Sequence, residues 1–134
     1  AMGEDTQPID LVKFVSSMGA RVAIVDPFDI NHTVEVLLDL MRDKSGTKVL
    51  IVQGECELTR ARRTHEVPFK MCVDAARCIG EDCGCARVCT RMFHCPGLVW
   101  NATEGKAHID EAICAGCGVC AQICPQGAIM KEVV

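Results

Sequence analysis

The chain has 134 residues, a net charge of −4, 49% apolar residues and 11 cysteines, against four Phe, one Trp and no Tyr. That length admits one ordinary domain or two small ones, and the mild acidity gives no electrostatic case for nucleic acid or an anionic membrane. No apolar run nears the roughly 20 residues of a membrane span, and an odd cysteine count without a signal peptide argues against a secreted disulfide framework. A cytoplasmic location is expected, where clustered thiols bind metal more often than they pair.

Ala1-Met2-Gly3 reads as an expression scar, with the native start upstream. In "TQPIDLVKFVSSMG" the residues Ile9, Leu11, Val12, Val15 and Met18 fall at helical spacing. Thr6 is the expected cap, Pro8 sits in the first turn, and Gly19 ends the helix. "RVAIVD" supplies a short apolar run, Val22 to Val25, of the kind buried on both faces of a parallel sheet. "NHTVEVLLDLMRDKSG" places Val34, Leu37, Leu38 and Met41 on one helical face with Gly46 as the stop, and "KVLIVQ" is a second continuous strand. The order α-β-α-β is that of a parallel sheet covered by helices. Two strands make a poor parallel sheet by themselves, so this half is expected to be a piece of a larger α/β domain or to pair with a second copy; a small self-contained unit is the alternative.

From Gly54 to Lys70 the hydrophobic period disappears, and "TRARRTHEVP" reads as a connector. Its Arg60, Arg62 and Arg63 form a solvated face, or else a surface for an acidic partner.

Near the C-terminus, "CAGCGVCAQICP" is Cys114-x2-Cys117-x2-Cys120-x3-Cys124-Pro125. This is the run that holds a [4Fe–4S] cluster in bacterial ferredoxins. Closely spaced thiolates reach separate corners of a cubane only if the backbone wraps tightly around it, and Gly116 and Gly118 lower the steric cost of wrapping. Zinc sites usually bring two distant C-x2-C pairs instead.

The crowded stretch "CIGEDCGCARVCTRMFHCP" is an earlier, irregular version of the same run. "VDAARCIG" (Val73 to Gly80) and "IDEAICAG" (Ile109 to Gly116) share apolar-Asp-x-Ala-x-Cys-x-Gly at a constant offset of 36 residues. Each leads to a Cys-Pro, Cys95-Pro96 or Cys124-Pro125, and then to an apolar segment. The C-terminal half is therefore an internal repeat. In two-cluster ferredoxins the fourth cysteine of each run serves the other cluster. Applied here, Cys95 joins Cys114, Cys117 and Cys120, while Cys124 completes a site with Cys78, Cys89 and either Cys83 or Cys85, Cys83 being preferred. Glu81 and Asp82 stand beside that site, where negative charge disfavours reduction, or lie on an exposed loop. Cys56 and Cys72 are left over and read as small buried hydrophobes. His32, His65, His94 and His108 show no ligand spacing, though His94 adjoins Cys95.

The order "VDPFDI", helix, "KVLIVQGECEL", arginine-bearing connector, "VDAARCIG", "CAGCGVCAQICPQGAI" resembles the C-terminal end of the alpha subunit of indolepyruvate:ferredoxin oxidoreductases, in the thiamine-dependent 2-oxoacid:ferredoxin oxidoreductase family. The resemblance covers essentially everything after the scar, and Cys56 falls where the family commonly has a cysteine. It implies residues 4–60 as the last part of a thiamine-diphosphate-binding α/β domain, 61–67 as a linker, and 68–134 as an α+β ferredoxin-like 2[4Fe–4S] domain. It also implies oxidative decarboxylation of an aryl 2-oxoacid to an acyl-CoA, with electrons leaving through iron–sulfur clusters. The implied partners are ferredoxin, a beta subunit and the rest of the alpha subunit, with no nucleic acid or membrane. No G-D-G…N segment for Mg²⁺ and diphosphate is present, so no catalytic or thiamine-binding residue is expected in this stretch. The rival readings are a free-standing 2[4Fe–4S] carrier, the same part of an enzyme for another 2-oxoacid, and a zinc-stabilised interaction module.

Overall fold

The computed structural model describes residues 8–67, 69–83 and 88–132. Ala1-Met2-Gly3, Thr6 and Cys85 lie outside them. The chain divides after Gln53 into two units.

The first unit runs α1 (Leu11–Ser17), β1 (Arg21–Val25), α2 (Ile30–Arg42), β2 (Lys48–Val52), the order expected from the hydrophobic pattern. The strands pair in parallel, from Arg21 opposite Lys48 to Val25 opposite Val52. The helix ends differ from expectation. Asp10 caps α1, its Oδ1 accepting from the Lys13 N–H at 3.0 Å, so Pro8 precedes the helix instead of lying in its first turn. Gly19 does follow the last turn, with φ +79°. Likewise α2 stops at Asp43, short of Gly46. The Asp43 carboxylate accepts from the Ser45 N–H (2.8 Å) and hydroxyl (2.6 Å), a local turn that competes with the helix. Those bonds, and the Arg21 guanidinium beside them, hold Asp43 well below the usual carboxylate range.

Burial in this unit departs from the expectation of doubly covered strands. Val25 and Leu40 are buried, but Ile24, Val34, Leu37, Leu38 and Val52 are exposed and Met41 is 71% exposed. A two-stranded sheet shields one side of a helix at most.

The second unit opens with α3 (Glu57–Thr64), where the sequence reads as a connector. Charge pairing stands in for the missing apolar stripe. Arg60 Nε meets Glu57 Oε2 at 2.6 Å one turn away, and Arg63 pairs with Glu55 at 2.9 Å. The helix ends at His65, in the left-handed region with φ 56°.

Then follow β3 (Lys70–Val73), a 3₁₀ turn (Gly80–Asp82), a π-helical turn (Val88–Met92), β4 (Leu98–Asn101), β5 (Lys106–Ile109), α4 (Val119–Ile123) and β6 (Ile129–Glu132). The strand pairing exchanges the two halves of the repeat. The first strand of copy one, β3, pairs antiparallel with the last strand of copy two, β6; β4 and β5 pair the same way. The pseudo-two-fold extends to single hydrogen bonds. Asp74 and Asp110 accept on Oδ1 from Ala76 N–H (2.9 Å) and Ala112 N–H (3.0 Å). Their carbonyls accept from the Cys78 and Cys114 N–H groups, both at 2.9 Å. The recurring Asp-x-Ala-x-Cys is thus an Asx turn that launches each cysteine loop from the end of a strand. Met71, Leu98, Ile109, Cys120 and Ile129 form the core of this unit, with Phe69, Phe93 and several cysteines packed against it.

The Cys-x-Gly of each copy has a geometric reason. Gly80 (φ +64°) and Gly116 (φ +72°) are both left-handed. A Cβ on Gly80 collides with the Gly105 carbonyl, and one on Gly116 with the Phe69 carbonyl, which are equivalent positions in the repeat. Gly105 is also left-handed (φ +63°) but has open space around it. Gly105→Ala therefore carries only the backbone cost of about 1–2 kcal/mol, and Gly116→Ala carries that plus displacement of the Phe69 carbonyl. In thermal melts of the metal-loaded protein, Gly116→Ala is expected to lower Tm clearly more than Gly105→Ala. Equal losses would refute the close-approach argument.

Candidate functional site

Four thiols from both copies face one recess. Cys78, Cys83, Cys89 and Cys124 line a cavity of ≈ 430 Å³, its open mouth included, walled mainly by apolar groups such as Val73 and Trp100. Each arrives by a different device: Cys78 after the Asp74 turn, Cys83 at the end of the 3₁₀ turn, Cys89 from the π-helical turn, and Cys124 just beyond α4. The π-helical turn closes with Phe93 N–H donating to the Val88 carbonyl at 2.9 Å. It stands in copy one where α4 stands in copy two, each against the strand that follows it, β4 or β6. Burial raises the Cys89 thiol pKa, and Cys124, Cys78 and Cys83 add to the shift.

The second group consists of Cys95, Cys114, Cys117 and Cys120. Cys120 is buried on α4, and its thiol is pushed up to about 12, by burial first and then by Cys117, Cys114 and Cys95. Cys117 is raised for the same reasons. Thiols so placed keep their protons at neutral pH until a cation replaces them. Each set therefore takes three cysteines from one run and one from the other.

The donor chemistry fits an iron–sulfur cluster. Sulfur-only ligands in an apolar nest are the setting such clusters take. Among the described residues no three His, Cys, Asp or Glu side chains gather closely enough to hold a single metal ion. The Ala128 N–H donates to Cys124 Sγ at 3.3 Å, the type of bond that tunes cluster sulfur. The glycine contacts at Gly80 and Gly116 leave no room for side chains where each loop folds back. Beside Cys89, the buried Thr90 Oγ1 has no hydrogen-bond partner among the described residues.

Other expected positions fall elsewhere. Cys85 lies outside the described residues. Cys72 is on β3, its thiol 3.7 Å from the Met130 carbonyl. Cys56, read as a buried hydrophobe, is instead exposed at the N-cap of α3. There the Thr59 and Leu58 N–H groups lower its pKa. Glu81 and Asp82 form the 3₁₀ turn leading to Cys83. His94 takes a left-handed conformation (φ 52°) next to Cys95. Sequence reasoning missed the two aspartates as loop anchors, and it missed Lys106, which donates to the Cys78 carbonyl.

Comparison with known proteins supports 4Fe-4S binding by the C-terminal run. The 4Fe-4S binding domain family matches residues 107–130, which include Cys114, Cys117, Cys120 and Cys124. Over 120 residues, 86% of this chain, it is 35% identical to indolepyruvate oxidoreductase subunit IorA of Pyrococcus horikoshii. Over 132 residues, 98% of the chain, it is 33% identical to the same-named subunit of Methanothermobacter thermautotrophicus. Over most of its own length the chain is thus similar to IorA subunits, and it carries a 4Fe-4S binding domain. It spans only 17% and 20% of the length of those two IorA proteins. An uncharacterized ferredoxin of Methanocaldococcus jannaschii shares 42% identity over 38 residues, 28% of this chain and 23% of that protein. No solved structure matches. Similarity to IorA thus runs through both units, whereas the ferredoxin likeness is confined to a short stretch. Among the described residues no helix is long and apolar enough to cross a membrane.

Proposed function

We propose that this stretch of an IorA-type subunit is the electron exit of an indolepyruvate:ferredoxin oxidoreductase. Two [4Fe–4S] clusters sit in the second unit. The first centre is held by Cys78, Cys83, Cys89 and Cys124, and the second by Cys95, Cys114, Cys117 and Cys120. The observation that carries this reading is the sorting of eight cysteines into two sets of four, each set crossing between the copies of the repeat. Bound clusters would supply a pair of one-electron carriers. The protein's part is to hold them: thiolates at their corners, left-handed glycines that let the backbone close in, and an apolar wall that keeps water from the sulfur.

In this reading ferredoxin takes the electrons, and a beta subunit and the rest of the alpha subunit carry the oxoacid chemistry on thiamine diphosphate and Mg²⁺. The first unit is the end of that thiamine-binding domain. Its exposed Val34, Leu37, Leu38 and Met41 suit a helix whose remaining cover belongs to a longer polypeptide. The limits read from the sequence, 4–60 for the α/β end, 61–67 as linker and 68–134 for the cluster module, differ from the division after Gln53, because α3 (Glu57–Thr64) crosses the 60/61 boundary and belongs to the second unit. By itself the stretch carries electrons and turns over no oxoacid. The IorA name on relatives similar through both units favours this over a free-standing carrier or an enzyme for another 2-oxoacid.

Analysis of anaerobically prepared protein tests the reading. Two cubanes require about eight iron and about eight acid-labile sulfide per chain, with a paramagnetic signal on reduction by dithionite. Colourless protein containing zinc and no labile sulfide would overturn it.

A further inference from the structure

The pseudo-two-fold relates two lysines that use their charge differently. Lys70 and Lys106 open β3 and β5 at the repeat's offset of 36 residues. Lys106, partly buried, donates to the backbone carbonyl of Cys78, a first-centre ligand in the reading above. Symmetry would turn Lys70 toward Cys114 in the same way. Instead Lys70 Nζ pairs with Glu111 Oε2 at 2.7 Å, a contact that raises the lysine pKa and lowers that of the carboxylate. The residue equivalent to Glu111 in copy one is Ala75, so nothing at that position diverts Lys106.

Reduction adds one negative charge to a cluster, and a fixed ammonium beside a ligand stabilises that charge. Partial burial keeps the interaction from being fully screened. Other charges surround both sites. Glu81 and Asp82 lie in the first-centre loop. Lys131 lies over the Phe69 ring, 4.3 Å from its centroid, and beside Gly118 of the second. These set each centre's starting potential without removing the difference between the two lysines.

We propose that Lys106 is a positioning residue that raises the reduction potential of the first centre, and that Glu111 withholds the equivalent lysine from the second. The position-75/111 pair, Ala against Glu, thereby makes the two centres unequal. The proposal rests on the two-cluster reading.

The test is a redox titration of the cluster-loaded protein followed by electron paramagnetic resonance. Lys106→Gln is expected to move one of the two one-electron midpoints to lower potential and leave the other in place. Lys106→Arg, keeping the charge, holds both near their original values. Glu111→Gln is expected to raise the midpoint that Lys106→Gln does not move. Ala75→Glu recreates the copy-two pairing with every native ligand and lysine retained, and should lower the same midpoint as Lys106→Gln. It decides the matter if Lys106→Gln fails to assemble clusters. Unmoved midpoints in Ala75→Glu and Glu111→Gln, or both variants acting on one midpoint, would overturn the proposal while leaving two clusters intact. Absence of any cluster signal in the unsubstituted protein would instead remove the reading on which it rests.

Discussion

Replacing Cys124 by Ser is expected to cost the protein its first centre, although Cys124 belongs to the run that builds the second. Cys95→Ser should do the converse. The expectation follows from the strand exchange: β6 returns beside β3, so Cys124, five residues before β6, is carried into the recess that holds Cys78, Cys83 and Cys89. Cys95, three residues before β4, is returned to the side of β5 and the Cys114 loop in the same way. Each substitution should drop the iron content from about eight toward about four per chain, and spectra of the reduced proteins identify the survivor. Cys124→Ser should match Cys83→Ser, and Cys95→Ser should match Cys117→Ser. If Cys124→Ser matched Cys117→Ser instead, each run would serve its own cluster and the crossed scheme would be wrong. Cys85→Ser is expected to leave both signals in place, which tests the preference for Cys83 as the fourth ligand.

How much of this was legible from the sequence depends on which interaction sets each element. The parallel strands and two flanking helices of the first unit follow from apolar runs of the right length, because burial is what fixes them. Their ends do not follow from hydrophobicity. Asp10 and Asp43 decide where α1 begins and α2 stops, through side-chain bonds to the backbone that a search for Gly or Thr overlooks. Leu40 is buried where the neighbouring Leu37, Leu38 and Met41 are not, since only one side of α2 meets the sheet. The helix at 57–64 was invisible to a periodicity argument, being held by Glu57–Arg60 and Glu55–Arg63 pairs. The cysteine repeat was the most legible feature, because its Asp and Gly each answer to a fixed turn geometry. The repeat also extends further upstream than the cysteines suggest. "KMCVDAARCIG" and "KAHIDEAICAG" share the leading lysine, and that lysine became meaningful only once the paired strands turned Lys106 onto the Cys78 carbonyl.

Stripping the iron should unfold most of the second unit. Two-stranded antiparallel ladders are marginal in water by themselves, and among the described residues this unit has two of them around a core cluster of five buried side chains, one of which is Cys120. The cysteine loops between the strands contribute little regular structure of their own, since the 3₁₀ turn spans three residues and α4 five. What draws the loops together is therefore the shared ligation. For structural zinc such coupling is worth about 10–16 kcal/mol, comparable with the whole stability of about 5–15 kcal/mol of an ordinary domain. Without metal, eight thiols are left with nothing to draw them together, and burial with neighbouring thiols makes the Cys120 anion unfavourable there. Trypsin reads the outcome directly. Arg77, Arg91 and Lys106 lie in or beside the cysteine loops, and Lys106 is engaged with the Cys78 carbonyl. In loaded protein these sites should resist cleavage, and after anaerobic chelation they should be cut within the time that exposed loops are. A stripped protein that keeps residues 70–132 intact under the same digestion would mean that packing, and not ligation, holds the unit together.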